Sequence, residues 1–238
     1  IERASNLLPQ FSKNFSFSSE RLKSALPLII FGYFKKLLVA DPISTHVDQV
    51  FNSPTDFFGL SSILAIIYFS IQIYCDFSAY SDIAIGIARI MGIDLMTNFK
   101  APYLSKSIRE FWSRWHISLS SWFRDYVYIP LGGSRRGMGV TIRNTLVIFL
   151  VSGIWHGANW TFIVWGLIHG LIISAEIIAD YGKRDEHMTP IRGFSDLVKT
   201  LYTFTIAVVA FVFFRADSFS DAISVLGNSI VFSQTNLV

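Results

Sequence analysis

Cysteine occurs once in the chain, at Cys75. No internal disulfide can form, and a thiolate-rich metal site is excluded with it. At the end of an apolar run, Cys75 reads as a buried, inert thiol. Charge is also scarce: Asp, Glu, Lys and Arg make up 16% of residues, against about 25% in soluble domains. Between Arg143 and Glu176, 32 consecutive residues carry none of the four, and Phe57 to Cys75 adds a further 19. Walker and dinucleotide glycine spacings are missing. The turn Leu131-Gly132-Gly133-Ser134-Arg135-Arg136-Gly137 is basic and flexible but has neither pattern, so it is not a nucleotide loop. No His or Cys cluster has ligand spacing, and no metal is expected.

What is present is apolar: 52% hydrophobic and 16% aromatic residues, the composition of an integral membrane protein. Its apolar runs read as several spanning helices, so the expected fold class is all-α and multi-pass. Phe57 to Cys75 matches the roughly 20 residues that a spanning helix needs. Asn144 to Ala175 would extend about 48 Å as one helix at 1.5 Å per residue, too long for a core of about 30 Å. A break is therefore expected at Ser152-Gly153-Ile154-Trp155-His156-Gly157-Ala158-Asn159. Irregular backbone at membrane depth needs protein or a watered cavity around it, so His156 is expected to line a cavity. Thr200 to Phe214 is a short span, extendable if Arg215 snorkels. Ser24 to Ala40, interrupted by Lys35 and Lys36, reads as re-entrant or interfacial. Residues 1–23 and 41–56 read as polar connections, and 180–199 as a mixed-charge one in which His187 is solvated.

A formal charge of +3 could suggest nucleic acid, but the bases lie between hydrophobic segments, so the expected partner is the lipid bilayer and no nucleic acid. Residues 94–143 hold eight Lys or Arg against three acids, whereas 41–56 holds three Asp and no base. The positive-inside rule puts the first region in the cytoplasm and the second outside.

Three polar features need explanation. In Asp76 to Ile93, the cluster Asp76, Ser78, Tyr80, Ser81 and Asp82 serves either interhelical hydrogen bonds or a substrate path. Ser107 to Pro130 carries Trp112, Trp115 and Trp122 among Arg109, Arg114, Arg124 and His116, the makeup of an interfacial helix. One helical stripe would hold Trp112, His116, Ser120 and Phe123. His169, beyond the expected break, reads as a packing or hydrogen-bonding residue.

Two strings, Phe111-Trp112-Ser113-Arg114-Trp115-His116-Ile117-Ser118-Leu119-Ser120 and Ser152-Gly153-Ile154-Trp155-His156-Gly157, resemble the membrane-bound O-acyltransferase family, in particular its alginate O-acetylation branch. Tyr74-Cys75-Asp76-Phe77-Ser78-Ala79-Tyr80-Ser81-Asp82, Ile129-Pro130-Leu131-Gly132-Gly133 and Phe213-Phe214-Arg215-Ala216 support it. The resemblance implies a catalytic His156 and a second polar site residue, His116. Trp155, Asp76, Tyr80, Arg114 and Asn159, in or beside these strings, are the expected substrate contacts. It further implies that residues 1–238 are the C-terminal portion of one catalytic membrane domain in a protein about twice as long. That protein would sit in a bacterial inner membrane and bind no resident cofactor. It would move an acetyl group from acetyl-CoA or another acyl thioester to a polysaccharide such as alginate, directly or through periplasmic or extracellular acetyl-transfer partner proteins.

The residues alone fit that chemistry. Acyl transfer to a hydroxyl needs a base, and a buried neutral imidazole can accept the proton. Two other readings stay open: a transporter or channel with His156 as an intramembrane proton relay, and a haem protein using His156 and His169, 13 residues apart. The haem reading is short of second axial ligands, since only His46, His116 and His187 remain.

Overall fold

A computed structural model describes residues 1–12, 16–180 and 191–232. Among these, every regular element is helical. Helix α1 spans Ala4–Phe11, α2 Ser19–Phe34, α3 Asp41–Asn52, α4 Leu60–Ile90, α5 Ile108–Arg114 and α6 Ile117–Phe123. Helix α7 spans Met138–His156, α8 Trp160–Ala179, α9 Phe194–Arg215 and α10 Phe219–Ser229. Among the described residues, α4, α7, α8 and α9 are long and apolar enough to cross a membrane. His187 lies outside the described residues.

The expected span from Phe57 to Cys75 is the first part of a longer helix, α4, which continues 15 residues past Cys75 to Ile90. Nothing in its sequence breaks it: there is no proline, and its two carboxylates find cations on the neighbouring chain. Asp76 accepts from Lys36 Nζ, and Asp82 from Lys35 Nζ, both at 2.7 Å. The lysines that interrupt Ser24 to Ala40 and the acids that interrupt α4 therefore neutralise one another. Helix α2 packs along α4 through reciprocal glycines. A Cβ on Gly32 would lie 2.6 Å from Ile83 Cγ1, and one on Gly86 2.6 Å from Ile29 Cγ1. Small residues at such crossings allow close approach.

Residues 41–52 form a helix rather than the expected loop. A π-helical turn over Lys35–Ala40 carries α2 into α3, with the Asp41 N–H donating to Lys36 O. Pro42 then falls in the first turn of α3, where its missing N–H costs nothing. Residues 1–23 likewise contain α1 and the start of α2, the latter capped by the Ser18 hydroxyl.

The break predicted between two helices near His156 is present: α7 ends at His156 and α8 begins at Trp160. The pair packs tightly, since a Cβ on Gly153 would lie 2.6 Å from Phe162 O, and Gly166 has no room beside Phe149 O. Helix α9 begins at Phe194, earlier than expected, and ends at Arg215, which pairs with Asp48 at 2.8 Å. That contact helps to define one end of the bundle, where Gly59 also donates to Asn228 O at 2.8 Å. At the other end the Glu176 carboxylate of α8 accepts from the backbone of Ile108 and Arg109 at 2.7 and 2.9 Å. It thereby fixes the start of α5.

Candidate active site

The stretch predicted as one interfacial helix is broken at His116, which takes a left-handed backbone at φ 44°. The groups freed by the break are met by residues 98–100. Asn98 O accepts from Ile117 N–H at 3.0 Å, and Arg114 O accepts from Lys100 N–H at 3.0 Å. The Asn98 side chain in turn reaches Ser118 N–H (3.4 Å) and Ser81 Oγ (3.1 Å). The inner face of the segment belongs to the core, with Phe111, Trp115, Leu119 and Phe123 buried, while Tyr126 and Ile129 are exposed. Aromatic residues next to bases carry the same composition in both settings, which is why the sequence suggested an interface.

The turn places His116 against Phe77 of α4, ring centroids 4.5 Å apart and edge to face. Burial pushes the His116 pKa down to about 3. It is a neutral imidazole at physiological pH.

His156, at the C-terminal end of α7, sits in a cluster of aromatic edges. Trp155 and Trp165 lie 5.0 Å away and Phe214 5.1 Å away, centroid to centroid. A cavity of about 430 Å³ is lined by Gln72, Asp76, Phe77, Phe214 and Arg215 among others, and by neither histidine. Phe77 touches His116, and Phe214 touches His156. Each imidazole is thus in contact with a phenylalanine that lines this cavity. In this cavity it is Phe214, and not His156 as expected, that forms the wall.

A second cavity, of about 580 Å³, has Arg109, Arg124 and Ser134 among its polar lining and Trp112, Phe149 and Ser152 among its deeper lining. Its aromatic wall leads back to the first site, because Trp112 packs on Trp165 at 5.7 Å and Trp165 on His156 at 5.0 Å.

The other expected substrate contacts are dispersed. Asp76 lines the smaller cavity while holding Lys36, which also pairs with Asp41. Trp155 is exposed beside His156, and Tyr80 is 71% exposed on α4. Arg114 pairs with Glu110 one turn away. Asn159 caps α8 through Thr161 N–H and donates to Asp217 O at 2.7 Å. Both are thus committed to local structure. Gln72, Phe77, Phe214 and Arg215 were not picked out as site residues, although three of them stand in strings that carry the resemblance. Cys75 is buried, as expected. Among the described residues no three His, Cys, Asp or Glu side chains gather as a metal site.

Comparison with known proteins identifies the family. The model of the membrane-bound O-acyltransferase family matches residues 8–215. A peptidoglycan O-acetyltransferase from Helicobacter pylori is 40% identical over 95% of this chain and 42% of its own length. A probable alginate O-acetylase from Pseudomonas putida is 38% identical over the whole of this chain and 47% of its own. A teichoic acid D-alanyltransferase from Bacillus subtilis is 27% identical over 84% of this chain. The chain spans less than half the length of the first two relatives. The match covers both histidine-bearing strings and all four candidate spans, so the chain belongs to the membrane-bound O-acyltransferase family.

Proposed function

We propose that the protein to which residues 1–238 contribute is an O-acetyltransferase of a bacterial inner membrane. In this reading it takes an acetyl group from a cytoplasmic thioester such as acetyl-CoA and delivers it to hydroxyls of an extracytoplasmic polysaccharide, alginate-like or another envelope glycan. Delivery is direct or passes through a periplasmic or extracellular partner protein. The observation that supports the proposal is that Phe77 and Phe214, which line one cavity, contact His116 and His156 respectively.

The larger cavity is the donor site. Arg109 and Arg124 on its lining, which pair with Asp180 and Asp125, would exchange those partners for the phosphates of a nucleotide thioester, and its apolar lining suits the pantetheine arm and acyl group. The excess of bases in 94–143 puts this mouth on the cytoplasmic side. The acceptor hydroxyl enters by the cavity that Asp76 and Gln72 line. His156 takes the hydroxyl proton as the oxygen attacks the thioester carbonyl. The tetrahedral intermediate collapses, the carbon–sulfur bond breaks, and the thiolate leaves with the proton returned by the imidazolium. General base catalysis of this kind contributes roughly 10² to 10⁴ in rate. His116, neutral and rigidly held, orients the acceptor or donates to the oxyanion.

Purified full-length protein in proteoliposomes, given acetyl-labelled acetyl-CoA and an oligosaccharide acceptor, tests the proposal. Label is expected in acceptor esters and absent with His156→Ala. Solute flux across the vesicle without ester formation would overturn it in favour of a transporter.

A further inference from the structure

His169 is fully buried in α8, and neither ring nitrogen has a hydrogen-bond partner among the described residues. Its surroundings are aromatic. Trp112 and Trp165 meet it edge to face at 5.2 and 5.4 Å, while Phe111 and Phe149 stack on it at 6.3 and 6.0 Å. The indole N–H groups of Trp112 and Trp165 are also buried and unpartnered. A buried polar group without a partner lowers stability, and an apolar ring of the same shape would not. Three such residues in mutual contact therefore ask for a function.

The donor and acceptor inventory says which. A neutral imidazole brings one N–H and one lone pair, and each indole brings an N–H only. The cluster thus holds three donors against one acceptor. Its natural complement is a group rich in acceptors and free of donors, such as a carbonyl oxygen. Its position selects the carbonyl: Trp112 and Phe149 line the 580 Å³ cavity, and Trp165 packs against His156. By ring contacts, the cluster bridges the aromatic wall of that cavity and His156.

We infer that His169, together with the indole N–H groups of Trp112 and Trp165, binds the carbonyl oxygen of the acyl thioester between the larger cavity and His156. This rests on the reading of that cavity as the donor site. His169 is then an acyl-binding residue retained at a cost in stability.

The test uses full-length protein in nanodiscs with acetyl-CoA labelled at the carbonyl carbon, comparing wild type with His169→Phe, His169→Leu and His169→Gln. At least one apolar variant is expected to keep the wild-type thermal midpoint and to lose about 10²-fold in kcat, the scale for removing one preorganised donor to a developing oxyanion. His169→Gln, which keeps a donor and an acceptor, should recover part of that loss. The infrared carbonyl band of bound donor should lie lower in wild type than in the apolar variant. Wild-type kcat with an unshifted band in an apolar variant would overturn the inference and leave the acyltransferase reading intact. Destabilisation of both apolar variants would overturn it as well, since it would make His169 a structural residue. Failure of the wild-type protein to transfer label would instead sink the acyltransferase reading, and this inference with it.

Discussion

The pair Lys35–Asp82 offers a quantitative test of how α2 and α4 are held together. Lys35 Nζ lies 2.7 Å from Asp82 Oδ2 and 2.7 Å from Ser78 Oγ, with the Phe31 ring centroid 5.1 Å away. Its side chain is 9% exposed and that of Asp82 is 26% exposed. Asp82→Asn leaves the ammonium buried without a counter-ion, a change that costs about 3–5 kcal/mol in buried pairs. The quarter exposure of Asp82 lets water reach the site, so the lower bound of about 3 kcal/mol applies, or about 10²-fold in the unfolding equilibrium. Replacing both residues, as Lys35→Met with Asp82→Leu, removes the orphan charge and should recover most of that loss. Unfolding by graded denaturing detergent, followed by tryptophan fluorescence, gives the three stabilities. A single variant as stable as wild type, or a double variant no better than the single, would refute the reasoning.

Three further outcomes follow from named contacts. Because the folded-state pKa of His116 is pushed down to about 3 from an ordinary value of 6.5, the unfolded chain binds the extra proton first. Its contribution to stability is complete above about pH 6.5 and is lost as pH falls toward 3; His116→Gln should flatten a thermal-midpoint profile measured from pH 8 to 5. Gly153→Ala places a Cβ 2.6 Å from the Phe162 carbonyl, so α7 and α8 must separate, at about 1–3 kcal/mol by thermal unfolding. Asn98→Ala removes the side-chain bonds to Ser118 and Ser81. It should cost about 1–2 kcal/mol and lower kcat more than it raises KM, because the break that sets His116 is loosened.

Fold class and the break at His156 were legible because both follow from short-range rules, the length of charge-free runs and the clustering of glycines with an asparagine. The α3 helix was not legible, since Asp41-Pro42 reads as a turn until the π turn before it takes up the register. The helical spacing of Asp76 to Ile93 was legible, but its continuity with the span before it was hidden for a different reason. Asp76 and Asp82 stop a hydropathy run, and only the fold brings Lys36 and Lys35 to them. His116 was singled out through the family resemblance, and the helical stripe expected to hold it does not exist. Its actual place depends on Asn98, 18 residues upstream, and no periodicity reports such a contact. That Phe77 and Phe214 line one cavity while contacting His116 and His156 is likewise a tertiary fact, although both lie in strings that carry the family resemblance.

The most direct test of the account is the O-acetyl content of envelope polysaccharide, measured by NMR, in cells whose full-length gene carries His156→Ala, with membrane levels of the variant followed by immunoblot. The account predicts that acetyl esters disappear while the variant stays in the membrane at wild-type level. Esters at the wild-type level with His156 gone would contradict it.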